Sequence, residues 1–220
     1  RFHLAAARGE TPPTQPREMV AALFDTYANR FDRHLVGQLQ YRVPRRVAEI
    51  LLARRPDRRM DVLDLGSGTG LLGVYLGRVD GALVGVDLSP RMLQEAARHG
   101  VYSELRENEL LAELRARPQA SFDFVVANDV FIYVGDLSEV IPACARVLRP
   151  GGALVFSCES AAETEGALVL RASRRYAHSQ ASIQALCAGS GFARTQIEPV
   201  TIRLDGTVPV HGFIAIAELA

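Results

Sequence analysis

The sequence predicts an α/β fold: a doubly wound, mostly parallel seven-stranded sheet with a C-terminal antiparallel hairpin and an N-terminal helical lid. Three observations lead to this prediction. Between residues 60 and 158, apolar runs typical of buried strands alternate with helical patterns, which indicates a parallel sheet covered on both faces. The first of these runs stops at a glycine-rich turn, residues 66–70. Near the C-terminus, two β-rich runs flank Asp205-Gly206, which is a strong hairpin signal.

The chain before the sheet divides into two predicted parts. Residues 1–16 contain Pro12, Pro13 and Pro16, and we expect a linker or the remnant of an upstream segment. Because the first residue is arginine rather than methionine, we expect the chain to be a fragment or a processed product. Residues 17–59 are predicted to form the helical lid.

Residues 60–220 are predicted to form one Rossmann-like domain. Strands are expected where apolar and β-branched residues cluster, and helices where apolar residues recur every three to four positions. The predicted strands are 60–65, 82–87, 103–106, 121–127 and 152–158, followed by the hairpin strands 194–204 and 208–218. The predicted helices are 17–29 and 43–55 in the lid, then 71–78, 90–99, 107–116, 136–148 and 180–189.

The composition excludes several classes of function. The 25 basic and 25 acidic residues give a net charge of zero, so no overall field favours nucleic acid or an anionic membrane. The sequence contains no lysine, which excludes Schiff-base chemistry and a lysine general base. Cys144, Cys158 and Cys187 match neither a zinc-binding spacing nor a disulfide framework, which favours a reducing cytoplasm. No apolar run is long enough to cross a bilayer.

The glycine-rich turn fits two kinds of nucleotide-binding site. Gly68, Gly70 and Gly73 have the G-x-G-x-x-G spacing of dinucleotide-binding proteins. A carboxylate at Asp64, however, would repel the phosphates of a dinucleotide and would suit a positively charged ligand. Asp87 ends the second predicted strand, where an acid accepts hydrogen bonds from ribose hydroxyls in either kind of site.

The segment 64–70, Asp-Leu-Gly-Ser-Gly-Thr-Gly, resembles a motif of the class I methyltransferases that use S-adenosylmethionine. The positive ammonium and sulfonium of that cofactor suit Asp64. Residues 60–158 resemble the family's motifs in order and spacing, and a terminal hairpin is also the family's arrangement. The resemblance implies S-adenosylmethionine as the cofactor. The candidate cofactor-binding residues are Tyr27, Arg42, Asp64, Gly66, Ser67, Gly68, Gly70, Asp87, Leu88, Met92, Asn108, Glu109 and Asn128.

The resemblance also implies roles for the later members of this set. Met92 would pack on the adenine ring, or it is a core methionine. Glu109, and after it Asn108, would read the adenine amine, whereas the alternative for Glu109 is ordinary N-terminal helix charge. Asn108 and Glu109 replace the Ala-Asp pair that is common in the family. Asn128 would line the cofactor near its sulfonium.

Three residues are candidates for catalysis: Asp129, Tyr176 and His178. Asp129 follows the fourth predicted strand and is either a base or substrate contact, or a loop acid that caps a turn. Tyr176 and His178 follow the fifth strand on the side where ligands bind, and they would point the same way in an extended segment. His178 is either a general base or a structural histidine.

A closer resemblance covers about residues 18–218. The motifs that carry it are Leu23-Phe24-Asp25-x-Tyr27-Ala28, Phe31-Asp32-x-His34-Leu35, Tyr41-Arg42-x-Pro44, Phe131-Ile132-Tyr133-Val134-Gly135-Asp136-Leu137 and Arg175-Tyr176-Ala177-His178-Ser179. They are similar to a group of bacterial predicted methyltransferases that are often preceded by tetratricopeptide repeats. Residues 1–10 would then be the stump of such repeats.

The resemblance implies an enzyme that moves a methyl group to an oxygen, nitrogen or carbon nucleophile of a small molecule. We expect it to be cytoplasmic, a monomer or weak homodimer, without a nucleic-acid or membrane partner. The aromatic residues Phe24, Tyr27 and Phe31 predict that the lid closes over cofactor and substrate. One alternative is a non-catalytic S-adenosylmethionine-binding regulatory module. Another is a nicotinamide-dependent oxidoreductase, which Asp64 and the hairpin disfavour.

Overall fold

A computed structural model describes residues 2–27 and 41–220. The helices are α1 (Phe2–Ala7), α2 (Arg17–Tyr27), α3 (Val43–Arg54), α4 (Leu71–Leu76), α5 (Pro90–Ala97), α6 (Leu110–Ala116), α7 (Val140–Val147) and α8 (Gln180–Gly189). The strands are β1 (Val62–Leu65), β2 (Leu83–Asp87), β3 (Glu104–Glu107), β4 (Phe122–Ala127), β5 (Leu148–Ser160), β6 (Leu168–Leu170), β7 (Tyr176–His178), β8 (Phe192–Asp205) and β9 (Val208–Leu219).

The strands form one sheet in the order β3-β2-β1-β4-β5-β7-β6, and β9 pairs with both β5 and β8. Strands β1 to β5 pair in parallel, whereas β9 is antiparallel to β5 and to β8. The turn between β8 and β9 contains Gly206 with a φ of 62°. The predicted α/β class, the mostly parallel sheet and the terminal hairpin are therefore confirmed. Two short strands, β6 and β7, were not predicted.

Two helices, α5 and α8, begin at serine caps. Ser89 precedes α5, and its hydroxyl oxygen accepts a hydrogen bond from the backbone N–H of Met92. Pro90 occupies the first helical position, where a missing N–H costs nothing. Ser179 caps α8 in the same way by accepting from the N–H of Ser182. Both helices are thereby fixed where they leave the sheet.

The core consists of two apolar layers, one on each face of the sheet. Helices α3 and α4 cover one face, where Val47 and Leu51 of α3 are fully buried. Helices α6, α7 and α8 cover the other face. This covering leaves the carboxyl ends of β1, β2, β3 and β4 at one edge, which is where ligands bind in open α/β sheets. In residues 2–27 and 41–220, no helix has the length and apolarity needed to cross a membrane.

The proline-rich segment expected to be a linker is docked on the domain. Thr14 forms a β-bridge with Val134, and the N–H of Gln15 donates to the carbonyl of Tyr133 at 3.1 Å. The side-chain amide of Gln15 donates to the carbonyl of Arg174 at 2.6 Å. The segment leads directly into α2, the first part of the predicted lid. The rest of that prediction between α2 and α3, including Phe31, lies outside the described residues.

Candidate cofactor and acceptor site

The glycine turn after β1 requires backbone conformations that side chains disfavour. Gly66, Gly68 and Gly70 have φ values of 65°, 55° and 84°, all in the left-handed region. A Cβ atom on Gly66 would lie 2.4 Å from a methyl carbon of Val130, in the loop after β4. The turn therefore packs against that loop, and the two together form one wall of a cleft of about 310 Å³.

Asp87, at the end of β2, stabilises the glycine turn by hydrogen bonds. One carboxylate oxygen accepts from the N–H of Gly68 and the other from the N–H of Ser89, both at 2.9 Å. Burial raises the pKa of Asp87, and the N–H donors oppose that shift. The hydroxyl of Ser89 also donates to Asp25 of α2 at 2.6 Å. The carboxylate thus lines the cleft while it fixes the turn and the start of α5.

Asp64 is a buried acid beneath the glycine turn, with an exposed fraction of 1%. The hydroxyl of Tyr102 donates to its carboxylate at 2.7 Å. Burial raises the pKa of Asp64 to about 7; the Tyr102 hydrogen bond opposes this shift and the charge of Asp87 adds to it. At neutral pH this carboxyl group is therefore close to its titration midpoint, so a cation bound beside it would favour the ionised form.

Most of the predicted cofactor-binding residues line this cleft. They are Asp64, Gly66, Ser67, Gly68, Asp87, Leu88, Asn108, Glu109 and Asn128. Three buried side-chain atoms of the described residues lack a hydrogen-bond partner: Ser67 Oγ and Asn128 Oδ1, whose residues line the cleft, and His178 Nδ1, whose residue does not. Two orphaned polar atoms beside a glycine turn indicate a polar ligand, because buried polar groups are normally paired.

Three other predicted cofactor residues, Arg42, Gly70 and Met92, do not line the cleft. Arg42 is exposed at the start of α3. Met92 is fully buried in α5, the core alternative considered for it. Gly70 faces α5, where a Cβ atom would approach Ala96 at 3.1 Å. The side chain of Tyr27 lies outside the part of the chain that the structure describes.

Asn108 and Glu109 line the cleft but also have structural partners. Both carboxylate oxygens of Glu109 accept from backbone N–H groups of α6, each at 2.9 Å, so Glu109 caps that helix. The side-chain amide of Asn108 donates to Glu113 at 2.7 Å, and its oxygen accepts from the N–H of Glu109. The contact of Asn108 and Glu109 with adenine stays a prediction. The capping hydrogen bonds of Glu109 already engage both of its carboxylate oxygens.

The opposite half of the cleft, beyond Asn128, contains a buried ion network. Asp129 has a φ of 57°, and its carboxylate accepts from Arg203 at 2.9 Å. Arg203 also forms an ion pair with Glu159. The hydroxyl of Ser157 accepts from the Asp129 N–H at 2.8 Å and donates to its carboxylate at 3.3 Å. Burial raises the pKa of Asp129, and the charge of Arg203 opposes this. We call this half, which is lined by Asp129, Tyr133, Arg175 and Arg203, the acceptor half.

Tyr176 and His178 are not brought into the cleft. The Tyr176 hydroxyl donates to the carbonyl of Pro12 at 2.6 Å, and the fully buried ring packs against Gly135. His178 Nε2 lies 2.8 Å from the carbonyl oxygen of Gly135, and burial lowers the pKa of the imidazole. The docked proline-rich segment therefore occupies the side that these residues face. Their catalytic role stays a prediction, which this geometry does not favour.

Several residues of the cleft were not proposed from the sequence. They are Thr14, Gln15, Arg17, Val20, Tyr41, Tyr133, Arg175 and Arg203. Phe24 of α2 packs edge-on against Tyr133, with ring centroids 5.4 Å apart. Tyr41, Tyr133 and Arg175 belong to the motifs that carry the closer resemblance, but no role was predicted for them. Arg203 is a charge between Ile202 and Leu204, which was a further available signal. The other residues come from segments that only the tertiary structure brings together.

The sheet and the glycine turn together define the class of domain. A parallel sheet with a glycine turn after β1 and an acid at the end of β2 is a Rossmann-like nucleotide-binding domain. Among solved structures, magnesium protoporphyrin IX methyltransferase from Synechocystis PCC 6803 with bound SAH has a TM-score of 0.68 at 21% identity. The match covers 93% of this chain and 99% of that chain, and it shows the fold.

Residues 63–156 match a family described as "Methyltransferase domain". Malonyl-[acyl-carrier protein] O-methyltransferase of Pseudescherichia vulneris is 32% identical over 197 residues, which cover 86% of this chain and 74% of that protein. The chain therefore belongs to the S-adenosylmethionine-dependent methyltransferases. The ubiquinone biosynthesis O-methyltransferase of Xanthomonas oryzae pv. oryzae is 35% identical over 99 residues. The match covers 44% of this chain and spans only 41% of that relative's length.

Proposed function

We propose that this chain transfers a methyl group from S-adenosylmethionine to an oxygen, nitrogen or carbon nucleophile of a small molecule. The observation that carries the proposal is the pairing of the acids Asp64 and Asp87 with two orphaned polar atoms, Ser67 Oγ and Asn128 Oδ1, around one glycine turn. The relatives named above are a malonyl-[acyl-carrier protein] O-methyltransferase and a ubiquinone biosynthesis O-methyltransferase, which supports methyl transfer and, among the three nucleophiles, oxygen.

The residues of the cleft fit the cofactor. When bound, S-adenosylmethionine supplies an electrophilic methyl group on a sulfonium. Asp87 would accept from ribose hydroxyls, and Asp64 would attract the positive methionine end. Asn128 would complete the polar contacts, and Phe24 with Tyr133 would exclude water from the acceptor half. Catalysis would come mainly from holding two reactants in line rather than from proton transfer.

The acceptor half supports this emphasis on positioning. Of the three predicted catalytic residues, Asp129 lines the cleft. Arg203 donates to one of its carboxylate oxygens and Ser157 donates to the other. A base held in that way is poorly placed to take a proton from a substrate. We therefore propose that Asp129 orients the acceptor half through Arg203.

The finer expectations remain part of the proposal. Residues 17–59 would act as a lid, supported by the contacts of α2 with Ser89 and Tyr133. An association with upstream tetratricopeptide repeats, a cytoplasmic location and a monomeric or weakly dimeric state are proposed from the sequence. A purely regulatory S-adenosylmethionine-binding module is the alternative, which measurable methyl transfer would exclude.

Calorimetric titration tests the cofactor assignment. We expect S-adenosylmethionine and S-adenosylhomocysteine to bind and NAD not to bind. Asp87→Ala should weaken binding by about 1–3 kcal/mol, because the ribose loses a charged acceptor and the Gly68 N–H loses its partner. Transfer of radiolabelled methyl groups to a metabolite panel then tests turnover. Wild-type affinity in Asp87→Ala, or binding of NAD alone, would refute the assignment.

The pKa of Asp64 predicts a pH-dependent affinity. Below pH 7 the carboxyl group is mostly protonated, so binding of the cationic cofactor must release that proton. The affinity for S-adenosylmethionine should therefore rise by roughly tenfold between pH 6 and pH 8 and level off above the pKa. The control is Asp64→Asn, whose profile lacks the titration of residue 64 and keeps those of the cofactor and of Asp87. Identical profiles for the two proteins would show that Asp64 does not couple to binding.

A further inference from the structure

Arg175 places a guanidinium group in the acceptor half of the cleft. It lines the cleft together with Tyr133, Asp129 and Arg203. Within residues 2–27 and 41–220, the ion pairs closer than 4 Å in this half join Arg203 to Asp129 and to Glu159, and none includes Arg175. The guanidinium of Arg175 hydrogen-bonds the Tyr133 side chain, and its charge acts on Asp129. Because a guanidinium carries five N–H donors, this half-buried arginine keeps donors with which it can bind an anionic ligand in the cleft.

The backbone fixes this arginine from both sides. Before it, the N–H of Arg174 donates to the carbonyl of Arg171, and Arg174 has a φ of 64°. The carbonyl of Arg175 accepts from the N–H of Arg171 at 2.9 Å, which closes the turn. After it, Tyr176 is fully buried, and its N–H donates to the carbonyl of Ile132. Arg175 is therefore presented to the cleft by a rigid segment, which lowers the entropy lost on binding.

The neighbouring arginine is not available for the same task. Arg203 has an exposed fraction of 4%, and two different nitrogen atoms of its guanidinium donate to Asp129 and Glu159. The positive charge of Arg203 is therefore already neutralised by these two carboxylates. Arg17, which is exposed at the start of α2, adds a further positive charge to the cleft lining. An incoming anion would meet Arg175 first and would leave the Arg203 network intact.

We propose that Arg175 determines specificity by binding a carboxylate group of the methyl acceptor. The inference rests on the proposed methyl transfer and narrows its substrate class to anionic small molecules. Phe24, Tyr41 and Tyr133 line the same half, so an aromatic or amphipathic carboxylate fits the chemistry of the lining. Arg175 positions the acceptor by its carboxylate and takes no proton.

The test compares benzoate with benzamide, two probes of similar shape that differ in charge. Each is titrated by nuclear magnetic resonance into protein saturated with S-adenosylhomocysteine. Benzoate should bind roughly tenfold more tightly than benzamide, because a charge-assisted bidentate pair replaces a neutral contact. Arg175→Gln should remove this preference, and Arg175→Lys should restore part of it. Arg174→Gln is the matched control, because it makes the same charge change at an exposed neighbour outside the cleft lining.

The outcomes separate this inference from the proposed function. Equal affinity of the wild-type protein for benzoate and benzamide would overturn the inference, as would a preference that survives in Arg175→Gln. Arg175→Gln should bind S-adenosylhomocysteine with wild-type affinity, and a large loss would assign Arg175 to the cofactor instead. Failure of the wild-type protein to bind S-adenosylhomocysteine would refute the proposed function. In that case, the affinities of the ligand-free protein for benzoate and benzamide would still show whether Arg175 binds a carboxylate.

Discussion

Gly68→Val is expected to abolish measurable binding of S-adenosylmethionine, a loss of roughly a hundredfold or more. Gly68 has a φ of 55°, which a β-branched residue adopts only under strain. Its N–H is held by Asp87, so the turn cannot relax without breaking that hydrogen bond. Gly68 also lines the cleft, and the added side chain would project from the turn that the ligand must approach. Calorimetry with S-adenosylmethionine measures the effect.

The matched control for this substitution is Gly100→Val. Gly100 has a similar φ of 62°, and no atom lies within 4 Å of the position that its Cβ would take. It is exposed and lies outside the cleft lining. The control therefore carries comparable backbone strain without obstructing the site, and it should bind the cofactor normally. If both variants lost binding equally, strain would explain the effect, and the glycine turn would lose its assignment as the cofactor cradle.

The sheet could be predicted because its signals are local. The apolar run before the glycine turn, the acid at position 87 and Ser89-Pro90 each indicate an element boundary within a few residues. Asp205-Gly206 likewise indicates the hairpin without any tertiary information. The half of the cleft around the glycine turn follows largely from the same signals, because Asp64, Asp87, Asn108 and Asn128 lie at or just after the ends of β1 to β4. The predictions for Arg42, Gly70 and Met92, which do not line the cleft, show where these local signals were insufficient.

Apart from Asp129, the acceptor half could not be predicted, because its residues come from distant segments. Gln15 reaches the cleft only because it pairs with Tyr133 and Arg174. Arg203 lies where the register of β8 is irregular, between Thr201 and Arg203, and no sequence pattern shows such an irregularity. Only tertiary packing brings these residues to one cleft.

His178 and Tyr176 show a related limit of sequence reasoning. Alternation along an extended segment correctly placed the two side chains on the same face of β7. It could not show which face was the cleft, because the docked proline-rich segment covers one of them. A histidine near the carboxyl end of a strand is therefore a weak functional signal until its neighbours are known.

Arg203→Met is expected to lower the free energy of unfolding at pH 7 by about 3–5 kcal/mol. The substitution removes the shared partner of Asp129 and Glu159 and leaves two buried carboxylates near each other. Burial already raises the pKa of Asp129 in the folded state, and loss of the opposing Arg203 charge raises it further. The unfolded state then releases protons that the folded state retains, so the deficit should shrink as the pH falls from 7 towards 5. Urea unfolding at both pH values measures this.

The control for Arg203→Met is Arg46→Met, which breaks two surface ion pairs, with Glu198 and with Glu49. Arg46 donates to both oxygens of Glu198, at 2.7 and 2.8 Å, but its side chain is 45% exposed. Solvent screens these pairs, so their loss should cost about 1 kcal/mol or less. Adding Glu159→Gln to Arg203→Met should recover part of the lost stability by removing one unpaired charge. If the two arginine substitutions lowered the free energy of unfolding equally, the Arg203 network would be hydrated. Asp129 would then be free to act as a base, contrary to the argument from its two engaged oxygens.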